Sequence, residues 1–276
     1  DGPCSDATLG ESCAMHAFRP ARIIPLVLLT FSAGLAPRAA EAPRPTAAGA
    51  AASYAACMEL ARRTPDEALV RAEGLMKAGF TAPARHCLGT ALLTLGRAAQ
   101  AARVFLDLAR NPGDIAPTER AEAFGQAGRA WLEAGDAARA EAAYSEALDI
   151  TPGDVLRLID RAIARGAQKR DFEALDDLNR ALELAPDSTD ARILRAAANR
   201  RAGASELAEE DIKAALALDP ESPAAWLEIG LLAQSRKQMA KARAAFAKAV
   251  ALDPAGPSGL TARAALARLD ARKKSR

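Results

Sequence analysis

Aromatic residues and histidine are scarce in this chain of 276 residues, and their scarcity narrows what the protein can do. Aromatic side chains make up 4% of the composition, and no segment alternates polar and apolar residues as a half-buried strand does. Few rings are present for nucleobases to stack on, and the 37 basic residues are nearly balanced by 35 acidic residues. Neither a β-rich fold nor a nucleic-acid-binding surface is therefore expected.

Motifs that carry catalysis or hold a cofactor are also missing from the sequence. It has no glycine-rich phosphate loop, no serine-nucleophile motif and no Cys-x-x-Cys. His86 adjoins Cys87, but successive residues of a helix point in different directions, which is poor geometry for proton transfer. Acidic pairs such as Asp176 and Asp177 are predicted to lie on solvated faces. We therefore predict no cofactor, no metal site and no catalysis, and an enzyme or small-ligand binder is the disfavoured alternative.

The sequence does contain a motif that recurs every 34 residues. Four prolines follow this period, and so do four alanines: Pro152, Pro186, Pro220, Pro254, Ala147, Ala181, Ala215 and Ala249. Alanine and leucine, which are strong helix formers, are abundant throughout. A fixed period of this length is typical of one supersecondary unit stacked on copies of itself. The prediction is an all-α repeat protein.

Spacing within the units resembles the tetratricopeptide repeat family. In residues 223–256, positions 4, 8, 11, 20, 24, 27 and 32 of the unit are Trp226, Gly230, Ala233, Ala242, Phe246, Ala249 and Pro254. The resemblance implies a right-handed superhelical α-solenoid of about five helix-turn-helix repeats, at 82–115, 121–154, 155–188, 189–222 and 223–256. It also implies a non-catalytic scaffold that binds another protein or a peptide.

Local signals refine this layout. Proline at position 32 cannot continue a helix, so each second helix should stop there, and Ser188 and Ser222 should cap the helices that follow. The third unit departs from the pattern, with Arg161 at position 7 and Lys169 in place of the turn glycine.

Segments outside the regular units are predicted to complete or interrupt the array. Residues 53–81 are expected to form a degenerate N-terminal helix pair, and 257–276 a capping helix with a basic tail, because array ends otherwise leave an apolar face in water. Residues 116–120 are a five-residue insertion, which we expect to kink the array.

Residues 15–42 have the three parts of a secretory signal peptide. Arg19 and Arg22 precede the apolar run 23–36, and Ala40 and Ala42 provide a small-residue cleavage site. We expect translation to start at Met15, so that residues 1–14 are not translated, and a flexible linker at 43–52. The predicted location is the periplasm. The alternative is an uncleaved segment, giving a membrane-anchored or cytoplasmic adaptor or co-chaperone.

Family members present positions 2, 5, 9, 12 and 13 on the concave face of the superhelix. In this chain these positions predict a partner-binding groove whose apolar residues are Leu156, Ile159, Ile163, Ile193, Ala197, Leu227 and Leu231, with Arg200 and Arg201 at its polar edge. Chaperone-binding members hold a terminal carboxylate with Lys and Asn, and neither residue type stands at positions 5 or 9 here. The competing interpretation is that the C-terminal helix folds back over these residues.

Cys57 and Cys87 are the only cysteines that follow the predicted signal peptide. An even number of cysteines suits an oxidising compartment, and stacking of adjoining first helices would bring these two together. We predict a disulfide that clamps the N-terminal helix pair. The alternative is two buried, unreactive thiols.

Overall fold

The computed structural model describes residues 47–111 and 115–274, so the predictions for residues 1–14 and 15–42 lie outside it. The helices of the described residues are α1 Ala47–Arg63, α2 Pro65–Lys77, α3 Thr81–Thr94, α4 Ala98–Arg110, α5 Pro117–Glu133, α6 Ala137–Ile150, α7 Val155–Ala167, α8 Asp171–Leu184, α9 Thr189–Arg201, α10 Ser205–Leu218, α11 Pro223–Ser235, α12 Met239–Leu252 and α13 Pro257–Lys274. No strand occurs in this part of the chain, which confirms the all-α prediction. The predicted linker, residues 43–52, is helical from Ala47 onward.

Helices pack in sequential pairs, and the pairs stack into a solenoid. Each helix contacts the next one along the chain, and odd-numbered helices also contact each other, namely α1 with α3, α5 with α7, α7 with α9, α9 with α11 and α11 with α13. The first helices of the units therefore form one layer and the second helices another. This is the predicted α-solenoid of helix-turn-helix repeats.

Helix ends follow the sequence signals. Each of α6, α8, α10 and α12 ends two residues before the repeated proline. The hydroxyl oxygens of Ser188 and Ser222 accept hydrogen bonds from the backbone amides of Ala191 and Ala225, as predicted for N-caps.

The turn between the two helices of a unit needs a left-handed residue at position 15. Three units place a glycine there, with φ between 71° and 86°. The other two place Lys169 and Lys237 in the same conformation, at φ 62° and 60°. A side chain is disfavoured in this region, so these two turns are strained relative to the glycine turns.

Helices within a unit cross in two different ways. In three units a glycine at position 8 lies under an aromatic ring at position 24: Gly89 under Phe105, Gly128 under Tyr144 and Gly230 under Phe246. A Cβ added at these glycines would stand only 2.4–2.6 Å from the ring, so glycine is required. We call these the glycine–aromatic units.

The third and fourth units, 155–188 and 189–222, pair alanine with an aliphatic residue at the same positions, and we call them the alanine–aliphatic units. Their crossing residues are Ala162 with Leu178 and Ala196 with Ile212, all buried. A methyl group has replaced the bare glycine, and a smaller side chain has replaced the ring. Total volume at the crossing is thereby held within packing limits.

The alanine–aliphatic units also carry a buried ion pair between positions 7 and 23. Arg161 contacts both carboxylate oxygens of Asp177 at 2.6 and 3.0 Å, and Arg195 contacts both oxygens of Asp211 at 2.6 and 2.9 Å. Asp177 is 4% exposed, so the prediction of a solvated face was wrong for this residue. Burial is tolerated because Arg165 adds a further hydrogen bond at 2.8 Å.

The insertion before the second unit lengthens α5. Residues 117–120 add a turn ahead of the position at which first helices begin in the units that follow. The Glu119 carboxylate accepts a hydrogen bond from the backbone amide of Ala116, which closes a capping interaction. At the other end of the chain, α13 packs on α11 and α12 as a further first helix would.

Candidate interaction surface

Two residues of the predicted groove are exposed apolar side chains on the layer of odd-numbered helices. Leu156 is 51% exposed and Ile163 is 39% exposed, and both lie on α7. The two residues are seven positions apart and therefore lie on one face of α7, where they form an exposed apolar patch.

Three other groove residues are packed inside the array. Ile159, Ile193 and Ala197 are at most 9% exposed. Ile193 belongs to a cluster with Ala215 and Ala225, the latter from the next first helix. Position 5 therefore bridges successive first helices, and these side chains stabilise stacking instead of lining an open surface.

The C-terminal end of the predicted groove is covered in part by α13. Leu227 and Leu231 pack against a cluster that includes Ala262, Ala265 and Leu269 of that helix. For these two leucines the structure has the packing arrangement that the competing interpretation described.

Both groove arginines are engaged in ion pairs. Arg200 bonds to Glu228 at 2.9 Å, which ties α9 to α11, and Arg201 bonds to Asp171 at 2.7 Å, which ties α9 to the start of α8. Arg200 is largely buried, whereas Arg201 is exposed. Of the two, Arg201 is the one that a partner could reach.

Ile163 and Arg201 line a common depression of about 320 Å³ between α7, α8 and α9. Its floor includes Ala162 and Leu178, the crossing residues of the first alanine–aliphatic unit. The depression is thus an apolar recess with a cationic edge in the middle of the array.

A second cavity, of about 270 Å³, lies at the N-terminal end between α3 and α5. Its apolar walls and polar groups are Tyr54, Ala82, Pro83, His86, Leu108, Ile115, Glu119, Glu122, Ala123 and Gln126. The walls come from α1, from the first unit, from the insertion 116–120 that breaks the 34-residue register, and from the start of the second unit. We call it the N-terminal pocket.

Polar groups in the N-terminal pocket are linked to one another. Tyr54 Oη and His86 Nδ1 are hydrogen-bonded at 2.6 Å. Burial lowers the pKa of His86, although nearby Gln126 and Glu122 favour its charged form. Burial, assisted by the charge of Glu119, raises the pKa of the Tyr54 phenol. The imidazole and the phenol are therefore both held neutral near pH 7.

Gln126 presents an unsatisfied acceptor in the N-terminal pocket. Its Nε2 donates to Glu122 at 3.4 Å, which fixes the orientation of the amide because a carboxylate can only accept. Its Oε1 is buried and receives no hydrogen bond of acceptable geometry from the described residues, although the Gln126 side chain lies close enough to His86 to favour the charged imidazole. An orphaned buried acceptor costs free energy, and a donor from a ligand would recover it.

The two cysteines adjoin the N-terminal pocket. Cys57 and Cys87 are both fully buried, and the structure joins them as a disulfide with Cα atoms 6.0 Å apart. Cys57 lies one turn from Tyr54, and Cys87 follows His86 directly. The bond therefore holds together the two helices whose side chains meet in the pocket.

Residues 47–111 and 115–274 contain no group of three or more histidine, cysteine or acidic side chains placed to hold a metal ion. Among the helices of these same residues, none is both long and apolar enough to span a bilayer.

Comparison with known proteins agrees with the geometry. The tetratricopeptide repeat family profile matches residues 88–155, 159–223 and 205–257, more than half of the chain. The chain therefore belongs to the tetratricopeptide repeat family. No curated protein sequence matches it.

Solved structures show the same fold. A thermophilic TPR protein of Thermus thermophilus is 24% identical, with a TM-score of 0.55 over 68% of this chain and 98% of that one. MamA from Desulfovibrio magneticus RS-1 is 22% identical, with a TM-score of 0.53 over 63% of this chain and 95% of that one. At these identities the likeness shows the fold alone.

Sequence reasoning missed four residues of the N-terminal pocket: Tyr54, Glu119, Glu122 and Gln126. His86 was considered in the sequence only as the neighbour of Cys87. The available signal was the insertion at 116–120, because an interruption of the register separates neighbouring first helices and leaves space between them.

Proposed function

We propose that this protein is a non-catalytic scaffold that binds a segment of another protein on the layer of odd-numbered helices. The observation that carries the proposal is the exposed apolar surface of Leu156 and Ile163, beside a recess edged by Arg201. An amphipathic or extended segment would cover these side chains and place its acidic groups near the arginine.

We further propose that the protein acts outside the cytoplasm, in the periplasm, in assembly or maintenance of the cell envelope. Two features support export: the signal-peptide pattern of residues 15–42, and a disulfide that an oxidising compartment would preserve. The assignment to envelope assembly or maintenance rests on location and family, since no single residue specifies it.

The test is photo-crosslinking in cells from a probe in place of Leu156, with a probe in place of Leu207 as the matched control. Leu207 is 53% exposed, close to the 51% of Leu156, but lies on the even-numbered helix α10. We expect one discrete partner captured from Leu156 and not from Leu207. Equal capture, or none, at both sites would contradict a binding surface on the odd-numbered helices.

The proposed location is tested separately on the same cells. Fractionation with measurement of the intact mass should give a periplasmic chain shortened near Ala42. A full-length chain in the membrane fraction would instead support the anchored alternative, and an unshortened soluble chain the cytoplasmic one.

A further inference from the structure

We propose that the N-terminal pocket binds an arginine side chain of the partner segment. This inference rests on the proposed function, because it names one chemical group of the same partner. The recess beside Ile163, in the middle of the array, offers mainly apolar surface, whereas the N-terminal pocket offers carboxylates and an orphaned acceptor.

Acceptors outnumber donors in the N-terminal pocket. Gln126 Oε1 is buried and receives no hydrogen bond from the described residues, and Glu119 and Glu122 add two carboxylates. One Glu119 oxygen accepts from Ala116, and the Glu122 Oε2 atom accepts from Arg157 at 2.9 Å. A group that offers several donors and no acceptor fits this set, and a guanidinium offers five.

The local charge is not cancelled by Arg157. That guanidinium is buried and divided between Glu122, Asp154 and Asp160, and Arg129 also favours the charged form of Asp160, so three carboxylates face two cations. Arg85, which precedes His86 on α3, is already paired with Asp107 at 2.7 Å. His86 is held neutral by burial, so no cation from its ring opposes an incoming one.

Size and walls of the N-terminal pocket suit one long side chain. Its volume of about 270 Å³ lies just below the range of sites for drug-sized ligands, which points to a single side chain as the occupant. Pro83, Leu108, Ile115 and Ala123 form an apolar wall against which the methylene stem can pack. The planar head would then reach the carboxylates, where it can form paired hydrogen bonds that an ammonium cannot.

The site is also preorganised. The disulfide joins α1 to α3 next to Tyr54 and His86, and the extra turn of α5 fixes Glu119 through its capping bond. Groups held in place before binding lose less conformational freedom when the ligand arrives.

The experiment measures binding of two capped pentapeptides to the full chain. They have the sequence Gly-Ala-Xaa-Ala-Gly, with Xaa either arginine or citrulline, which has nearly the same shape but no charge. Binding is followed by NMR through the ring Cε1–H signal of His86, which a His86→Gln variant identifies. We expect a saturable shift with the arginine peptide at millimolar concentration or below and none with the citrulline peptide.

Variants then locate the contact. Glu119→Gln with Glu122→Gln should weaken arginine-peptide binding at least tenfold, since both charges are lost. Glutamine at residue 119 can still accept the Ala116 hydrogen bond, so the helix start is kept. Glu133→Gln is the control, because Glu133 is exposed on the same helix outside the pocket lining, and it should leave binding unchanged.

Equal binding of the two peptides, the absence of any shift, or an unchanged affinity in the double variant would each overturn the arginine assignment. This failure is separable from failure of the proposed function. A partner captured from Leu156 and bound equally well by the double variant would leave the scaffold proposal standing and remove the arginine. Arginine-selective peptide binding without partner capture from Leu156 would support the arginine pocket and contradict the proposed partner surface on α7.

Discussion

The glycine–aromatic units and the alanine–aliphatic units solve the same packing problem in different ways. In unit 223–256 the Phe246 ring lies directly on Gly230, and positions 7 and 23 are Ile229 and Ala245. In unit 155–188 the ring and the glycine have both been replaced, and positions 7 and 23 carry Arg161 and Asp177. The crossing therefore constrains the combined volume of the side chains at positions 8 and 24. The neighbouring positions 7 and 23 can hold either two apolar side chains or a buried ion pair.

This difference bears on the candidate surface. The recess beside Ile163 lies over Ala162 and Leu178, where an aliphatic side chain stands in place of a ring. The residues of the alanine–aliphatic crossing are therefore part of the buried core of the third unit and also part of the floor of a candidate binding site.

The largest expected effect comes from breaking a buried ion pair. Asp177→Ala leaves Arg161 with Ser145 as its remaining side-chain partner, and removal of one member of such a pair costs about 3 kcal/mol or more. Urea unfolding followed by circular dichroism measures the loss. Asp176→Ala, at the exposed neighbouring residue, is the control and should change stability by less than about 0.5 kcal/mol. Equal stability of the two variants would show that the pair contributes nothing.

Conversion of an ion pair to the apolar type should cost far less. Arg195→Ile with Asp211→Ala gives unit 189–222 the residues that unit 223–256 has at positions 7 and 23. Replacement of both members by apolar groups is often neutral, so we expect the double variant to be clearly more stable than Asp211→Ala alone. If the double variant is as unstable as the single one, the two kinds of unit are not interchangeable.

The glycine–aromatic crossing is tested by adding one methyl group. Gly230→Ala places a Cβ 2.4 Å from the Phe246 ring, and overpacking of this kind costs about 1–3 kcal/mol. Adding Phe246→Leu recreates the alanine–aliphatic pair. The loss of unfolding free energy in the double variant should therefore be smaller than the sum of the losses in the two single variants. Gly74→Ala, which has open space around it, is the control and should be neutral or slightly stabilising. Strict additivity of the two changes would argue against direct compensation.

The smallest expected effect concerns the turns. Lys169→Gly and Lys237→Gly should each raise the free energy of unfolding by about 0.5–1 kcal/mol, because glycine adopts positive φ without the steric cost of a side chain. The reverse change at a glycine turn, Gly203→Lys, should lower it by a similar amount, and thermal melting of the three variants provides the comparison. A loss of stability in both glycine variants would show that the lysine side chains make compensating contacts.

The fold could be predicted from the sequence because each repeated signal acts locally. A proline at position 32 ends a helix wherever it stands, and a hydroxyl at the cap acts on an amide three residues away. The Arg–Asp pairs were also visible in principle, since Arg161 and Arg195 are 34 residues apart and so are Asp177 and Asp211. The prediction of a solvated face for Asp177 fails because a carboxylate that is normally exposed is paired there with an arginine of the facing helix.

The candidate site could be predicted only in part. Leu156 and Ile163 are exposed, but Ile193 is buried because its neighbours on α11 come close, and that approach depends on tertiary packing. The N-terminal pocket depends on Tyr54 and Glu119, which come from segments outside the regular repeats. A periodic pattern predicts only the features that the units share. A pocket formed by residues that differ between units cannot be predicted from that pattern.

The bond between Cys57 and Cys87 also sets a direction for the opening of the array. Solenoids are nearly one-dimensional, so units separate from the ends inward. The N-terminal end is closed by a covalent link across 30 residues, whereas α13 is held at the other end by noncovalent packing on α11 and α12. Amide hydrogens should therefore exchange first in α13 and last toward the cross-linked helices, and a protease would find its earliest cleavage sites near the C-terminus.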